Sequence, residues 1–309
     1  MISNADIKLA VIKQTVATTM PTTGTLLGVD HVLGSLELYK ESERVESNTV
    51  KPNRAKALDR RGKDRVMGSF KFRIHKDAAF ELMLQSLLGN DWTDVAPTGD
   101  ANDTLISGVK RVPFALVVTY TDETGTVTRD QALGCEVTKL SFDAENSAGL
   151  EGTVEFIAVD LTEGLAGASS LTAQAANASL ELLGDEVTNI TISGVTLTDY
   201  TKLSFSIEQP RDHVHVLGST LAKGIMASAT RNISGSVNYL KPTGATPAFT
   251  GAAQAMSFGL GGFYLISTPS VTVQRPKNDF GANVLEAQAD VSAGYDNTAA
   301  TDIMITRLS

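Results

Sequence analysis

Several stretches of this chain alternate apolar and polar side chains, and that alternation constrains the fold more than any other feature. In residues 35–45, Leu36 and Leu38 fall on one side, and Glu37, Tyr39, Glu41 and Glu43 fall on the other. In residues 69–75, Phe70, Phe72 and Ile74 share a side, and in residues 202–208, Leu203, Phe205 and Ile207 do the same. A period of two is that of a strand with one face on a core and the other toward water. Further strands are expected over 112–120, 126–129, 136–143 and 151–159, with turns at 122–125 and 146–149. The fold class is therefore mainly β.

Helical spacing is rarer. Asp77 can cap a helix whose stripe is Phe80, Leu84 and Leu87 and whose stop is Gly89. Thr246 and Pro247 have the chemistry of a second helix start, with a body over 249–256 and a stop at Gly259. Residues 164–176 are rich in Gly, Ala and Ser and read as a joint. On either side of it the order is strand, long loop, strand, helix and a run of hairpins. The second half supplies strands at 202–208, 226–240, 262–273, 283–292 and 302–308, with a turn over 277–281. The expected organisation is a first domain at 1–163, a linker at 164–176 and a second domain of the same kind at 177–309.

Composition narrows the function. With 42% hydrophobic and 20% charged residues over 309 positions, the chain has the makings of a folded protein of about two domains. A net charge of −9 opposes tight gripping of DNA, which needs a cationic excess, but suits a surface that DNA slides past. The single cysteine, Cys135, excludes an intrachain disulfide and a multi-cysteine zinc site. No apolar run approaches a membrane span, and residues 1–20 lack a signal-peptide core, so synthesis in the cytoplasm is expected.

Candidate chemistry is sparse. His213 and His215 share a strand face without a third ligand, and His75 reads as a surface residue. The glycines of 259–262 follow a helix-like stretch and lack the Lys-Ser/Thr ending of a phosphate loop. Asp143, Glu145 and Glu151 flank a turn and read as solvated hairpin residues. No catalytic residue, metal ligand or cofactor is expected, and a sandwich-type hydrolase or sugar-binding enzyme is disfavoured.

Residues 36–44, the Lys/Arg-bearing loop leading into 68–73, the helix 77–88 and the run from 134–142 to 152–156 resemble the tail tube proteins of long-tailed phages, particularly siphophages. The resemblance covers nearly the whole chain and rests on element order and spacing. It implies duplicated β-sandwich/barrel domains, each with one flanking helix, that assemble into a ring-shaped β-barrel. Stacked rings would form the conduit through which phage DNA is ejected. Two tube domains per chain imply a homotrimer of pseudo-sixfold symmetry, and a homohexamer follows if the second half only decorates the tube. The implied partners are further copies of the chain, the tape-measure, tail-terminator and baseplate or tail-tip proteins, and passing DNA, without membrane insertion. The implied location is the virion, its parts assembled in the host cytoplasm.

Two surfaces take roles under that resemblance. Glu37, Glu41 and Glu43, with the even positions Ser228, Thr230, Asn232, Ser234, Ser236 and Asn238, would line the lumen. The loop over 46–64 would reach the next ring through Lys51, Arg54, Lys56, Arg60, Arg61 and Lys63. A nucleic-acid patch and an ordinary solvated loop stay open for that loop; it lacks interleaved aromatics, and Asp59 and Asp64 interrupt it. A capsid decoration protein or an adhesin module is the alternative for the whole chain.

Overall fold

Alternation becomes strand along most of the chain. The computed structural model describes residues 7–46, 59–94, 103–145, 148–174, 181–197, 199–240, 253–274, 277–279 and 286–308. Strands β1 (Ile7–Lys13), β2 (Thr25–Val29), β3 (Glu37–Val45) and β4 (Arg60–Arg73) precede the helix α1 (Ala78–Leu88). Next come β5 (Thr104–Ile106), β6 (Phe114–Thr121), β7 (Val127–Glu145), β8 (Glu151–Ala158), β9 (Asp160–Ala166) and β10 (Thr172–Ala173). The later part holds β11 (Val187–Ile192), β12 (Val195–Thr196), β13 (Tyr200–Glu208), β14 (Arg211–Val214), β15 (Gly224–Ala227) and β16 (Asn232–Leu240). It ends with β17 (Gln254–Leu260), β18 (Tyr264–Val273), β19 (Lys277–Asp279), β20 (Glu286–Ala293) and β21 (Met304–Arg307).

One pairing scheme is used twice. In the first half, β1 lies between β2 and β6, and β6 pairs with β7. The front of β7 pairs with β9, its back with β8, and the ladder continues from β8 to β4 to β3. In the second half, β11 lies between β12 and β17, and β17 pairs with β18. The front of β18 pairs with β21, its end with β20, and the ladder continues from β20 to β16 to β13. Each half is thus a sandwich in which one long strand serves both sheets.

The halves share a sheet as well as a core. The back of β7 pairs antiparallel with β13, from Lys139 opposite Glu208 to Glu145 opposite Lys202. The result is one antiparallel sheet in the order β3–β4–β8–β7–β13–β16–β20–β19. Beneath the junction, the rings of Phe142, Phe205 and Phe258 pack with centroids 5.1–6.0 Å apart. Such pairs add ~0.5–1.5 kcal/mol each beyond the area they bury. Helix α1 wedges between the halves, with Phe80 edge-on to Tyr264 at 5.6 Å and Glu81 Oε2 2.8 Å from Arg307 Nη1.

Several expectations need correction. The second helix does not form where it is described: Gln254–Leu260 is a strand, and Met256, Phe258 and Leu260 are buried in alternation. A stop at Gly259 was the wrong reading of a glycine inside that strand, while residues 241–252 lie outside the described residues. Expected strands at 126–129 and 136–143 are one strand, β7. The expected single strand over 226–240 breaks at 228–231, and the turn expected at 277–281 is a strand as far as Asp279. Residues 164–166 of the expected linker end β9, and 172–173 pair in parallel with β2. Helix α1 is covered on more than one stripe, since Leu82, Met83 and Leu88 are buried along with Phe80, Leu84 and Leu87. Asp77 occupies the cap position without a side-chain capping bond. His75 is buried, not a surface residue; Asp77 and Asp30 lie 3.7 and 3.6 Å from its Nε2, and the Asp77 carboxylate leads in holding its pKa above the ordinary value.

Gly134 allows β7 to serve two sheets. Its φ of 63° is left-handed, and a Cβ there would lie 2.7 Å from both Ala17 O and Val159 Cγ2. Gly134→Val therefore combines backbone strain with overpacking and is expected to cost about 3 kcal/mol. Chemical denaturation of the unassembled chain measures this, with an unchanged midpoint as the contrary result.

Candidate assembly surfaces

The outward face of the joined sheet follows from its register. One row runs Glu37, Ser69, Glu155, Lys139, Glu208, Asn232 across six strands. The next runs Lys71, Thr153, Ser141, Ser206, Ser234, Ser292, and a third runs Arg73, Glu151, Asp143, Ser204, Ser236, Asp290. A fourth, shorter row is Glu145, Lys202, Asn238, Gln288. The opposite face carries Phe70, Phe72, Val154, Phe156, Leu140, Phe142, Leu203 and Phe205, all buried. With a side-chain period of two, one choice of core face sets every residue of the other.

Three of the cations on this outward face have acidic neighbours, while Lys71 is exposed and stands opposite Thr153. Lys202 Nζ lies 2.6 Å from Glu145 Oε1, Arg73 Nη2 3.1 Å from Glu151 Oε1, and Lys139 Nζ 3.4 Å from Glu155 Oε1. Hydrogen bonding to Glu145 raises the Lys202 pKa. Ser204 Oγ donates to Asp143 Oδ1 at 2.5 Å. The surface is a continuous polar field of short hydroxyls and carboxylates in which these ammonium and guanidinium groups are already matched.

The residues expected to line a lumen are brought together in part. Glu37, Asn232, Ser234, Ser236 and Asn238 lie on this face. Glu41 and Glu43 are exposed on a β3–β4 ribbon that runs on past the end of β8, with Glu41 opposite Arg65. Ser228 and Thr230 are exposed in the break between β15 and β16, off the sheet. Alternation at 202–208 could have identified Ser204 and Ser206, but nothing in sequence places Ser141 and Asp143 beside them.

The expected basic loop is partly strand. Arg60, Arg61 and Lys63 belong to β4, where Arg60 and Arg61 stand opposite Val45 and Arg44. Arg61 is occupied within the chain, its Nη2 2.8 Å from Asp64 Oδ2, so it is not a free loop cation. Burial opposes the charge of Asp64, yet bonds from Ser42 and Arg61 hold its carboxyl below the usual range. Lys51, Arg54 and Lys56 lie outside the described residues.

A second contact locks the halves together. The β14–β15 hairpin leaves β13 and folds back over the first half, where Ile225 and Ala222 pack with Ile157 and Val159. Asp64 N donates to Thr220 O at 2.8 Å, and His213 Nε2 lies 2.9 Å from Ala158 O. Burial lowers the His213 pKa, which opposes protonation of its ring. At the base of the hairpin, the buried carboxylate of Glu136 meets Arg211, and Arg111 Nη2 lies 2.5 Å away from it. Arg211 also donates to Val137 O at 3.1 Å and to Ser86 O at 2.6 Å. Cys135 beside it is fully buried, and burial pushes its thiol pKa up, leaving an inert core group. Among the described residues, no three His, Cys, Asp or Glu side chains group to hold a metal, and no helix is long and apolar enough to cross a membrane.

Glu136→Ala leaves Arg211 buried without its main countercharge and is expected to cost about 3–5 kcal/mol. Glu136→Leu combined with Arg211→Met is expected to recover most of that loss. A double-mutant cycle read by unfolding midpoints measures the coupling, and additive losses would show that the pair does not act as a unit.

Comparison with known proteins gives two results. The family model described as phage tail tube protein matches residues 4–306. No curated protein matches the chain.

Proposed function

The chain belongs to the phage tail tube protein family, and from that membership we propose that its copies associate into stacked rings whose bore is lined by the outward face of the joined sheet. Its role is structural, as part of the phage virion. The observation that carries the lumen reading is the set of polar rows that together cover β3 to β20, in which Arg73, Lys139 and Lys202 are answered by neighbouring carboxylates. A duplex moving past such a surface meets like charge and short hydroxyls, with little to exchange for its counterions.

The two pairing units correspond to two tube domains, 1–163 and 177–309, and both contribute strands to the same sheet. That sharing favours a wall role for the second half over a decoration role. Three copies would then supply six units per ring, and six copies would supply twelve. Tape-measure, terminator and tail-tip proteins are the expected neighbours at the tube's core and ends. Inter-ring contact through Lys51, Arg54 and Lys56 fits their position between β3 and β4, with Lys63 exposed nearby on β4.

Replacing small or acidic groups on this face by lysine tests the lumen reading. Phage carrying Ser206→Lys with Ser236→Lys are expected to build normal tails but eject DNA on the order of tenfold more slowly at low ionic strength, recovering as salt screens the new charges. Ejection kinetics in host-free release assays provide the measurement. Wild-type kinetics from intact mutant tails would remove the lumen assignment. For the purified chain, negative-stain images of hollow stacked tubes support the assembly, whereas discrete particles would favour a decoration protein.

A further inference from the structure

The joined sheet ends in two strands with one neighbour each. Among the described residues, β3 pairs with β4 alone and β19 with β20 alone. Each therefore presents a row of backbone donors and acceptors on its outer side, the arrangement that most readily captures another strand. The two edges differ, so a contact that joins one to the other is head-to-tail and can close into a ring.

The chain contains its own template for that contact. Gly68 and Gly235 occupy equivalent places: a Cβ on Gly68 would strike Glu37 O and the Phe156 ring, and a Cβ on Gly235 would strike Ser204 O and press on Val291. Glu37 is thus the counterpart of Ser204, and Phe156 the counterpart of Val291. Gly68 pairs with Phe156 and Gly235 with Val291, which aligns β8 with β20 and sets Glu151 against Glu286. Asp143 stands opposite Glu151, and Asp279 stands opposite Glu286, so Asp143 and Asp279 are counterparts. Ser141 and Lys277 follow from Thr153 and Gln288 in the same way.

Within the chain, β7 meets β13 with Asp143 opposite Ser204, Phe142 opposite Phe205 and Ser141 opposite Ser206. We infer that β19 of one copy pairs antiparallel with β3 of the next in the corresponding register, with Asp279 opposite Glu37, Asn278 opposite Leu38 and Lys277 opposite Tyr39. The joint between copies then repeats the joint between halves, and a ring of copies becomes a ring of equivalent units. This seam deepens the tail-tube reading and rests on it only in requiring that copies associate.

Cysteine pairs test the register. Assembled Tyr39→Cys/Lys277→Cys protein, treated with a short thiol cross-linker, is expected to give a ladder of covalent multimers on denaturing gels. A mixture of the two single variants, assembled together, is expected to stop at covalent dimers, which shows that the bond joins different copies. Glu41→Cys/Asp279→Cys, four residues out of register and ~13 Å apart, is expected to react at least tenfold less. If the first double variant does not assemble, Glu37→Cys/Asp279→Cys probes the same register. Tubes that form but cross-link equally out of register, or not at all in register, overturn the seam while leaving the tail-tube reading in place. Wild-type chains that stay monomeric by sedimentation velocity, under conditions where tubes are sought, overturn the reading and the seam together.

Discussion

Between residues 139–145 and 202–208 the two halves of the chain meet as neighbouring strands of one sheet, and the rest of the architecture depends on that ladder. A β-edge satisfies its backbone groups by pairing, by cover or by solvation. Here the last long strand of one unit is paired by the first long strand of the next, within the chain. This brings the polar residues of both units onto one face and the phenylalanines of both onto the other. Among the described residues, it also leaves the unpaired edges at the two ends of the row, on β3 and β19.

The β7–β13 ladder alone would leave the joint free to hinge, and the chain supplies further restraints, including a second ladder between β5 and β21. The cluster of Phe142, Phe205 and Phe258 closes the core beneath the ladder. Above it, the β14–β15 hairpin reaches back to the first half and is anchored by the Glu136–Arg211 pair. A buried ion pair contributes little net stability, but it penalises misplacement, because either partner displaced is a charge in a low-dielectric interior. Such a pair at the base of an arm suits positioning better than strength. Helix α1 does comparable work from the other side, since its Phe80 and Glu81 touch Tyr264 and Arg307 of the second half.

A face proposed to line a bore has two demands to meet. A sheet face in water needs polar side chains, and a conduit for a polyanion needs a surface without unmatched cations. Rows of serine flanked by carboxylates meet the first demand, and three of the cations stand beside acids, which suits the bore proposed for this face. Family membership identifies the setting as a phage tail, and the register specifies which residues share the face.

Much of this was determined by the sequence alone. A period of two at 35–45, 69–75 and 202–208 compels strands with Leu36, Phe70 and Leu203 inward, because a helix would scatter those side chains around its axis. The Gly89-terminated helix was also legible there, with Phe80, Leu84 and Leu87 on its buried side. Tertiary structure decided what local pattern cannot encode. Residues 254–260 resemble a helix continuation in composition, yet they pair between β11 and β18, which makes Met256 and Phe258 alternate core residues. Gly134 gives no local sign that it lets one strand serve two sheets. The meeting of Asp143 with Ser204, or of Glu136 with Arg211, joins residues more than sixty positions apart. Such contacts depend on which edge a strand finds, and a strand's own residues specify its faces but not its neighbour.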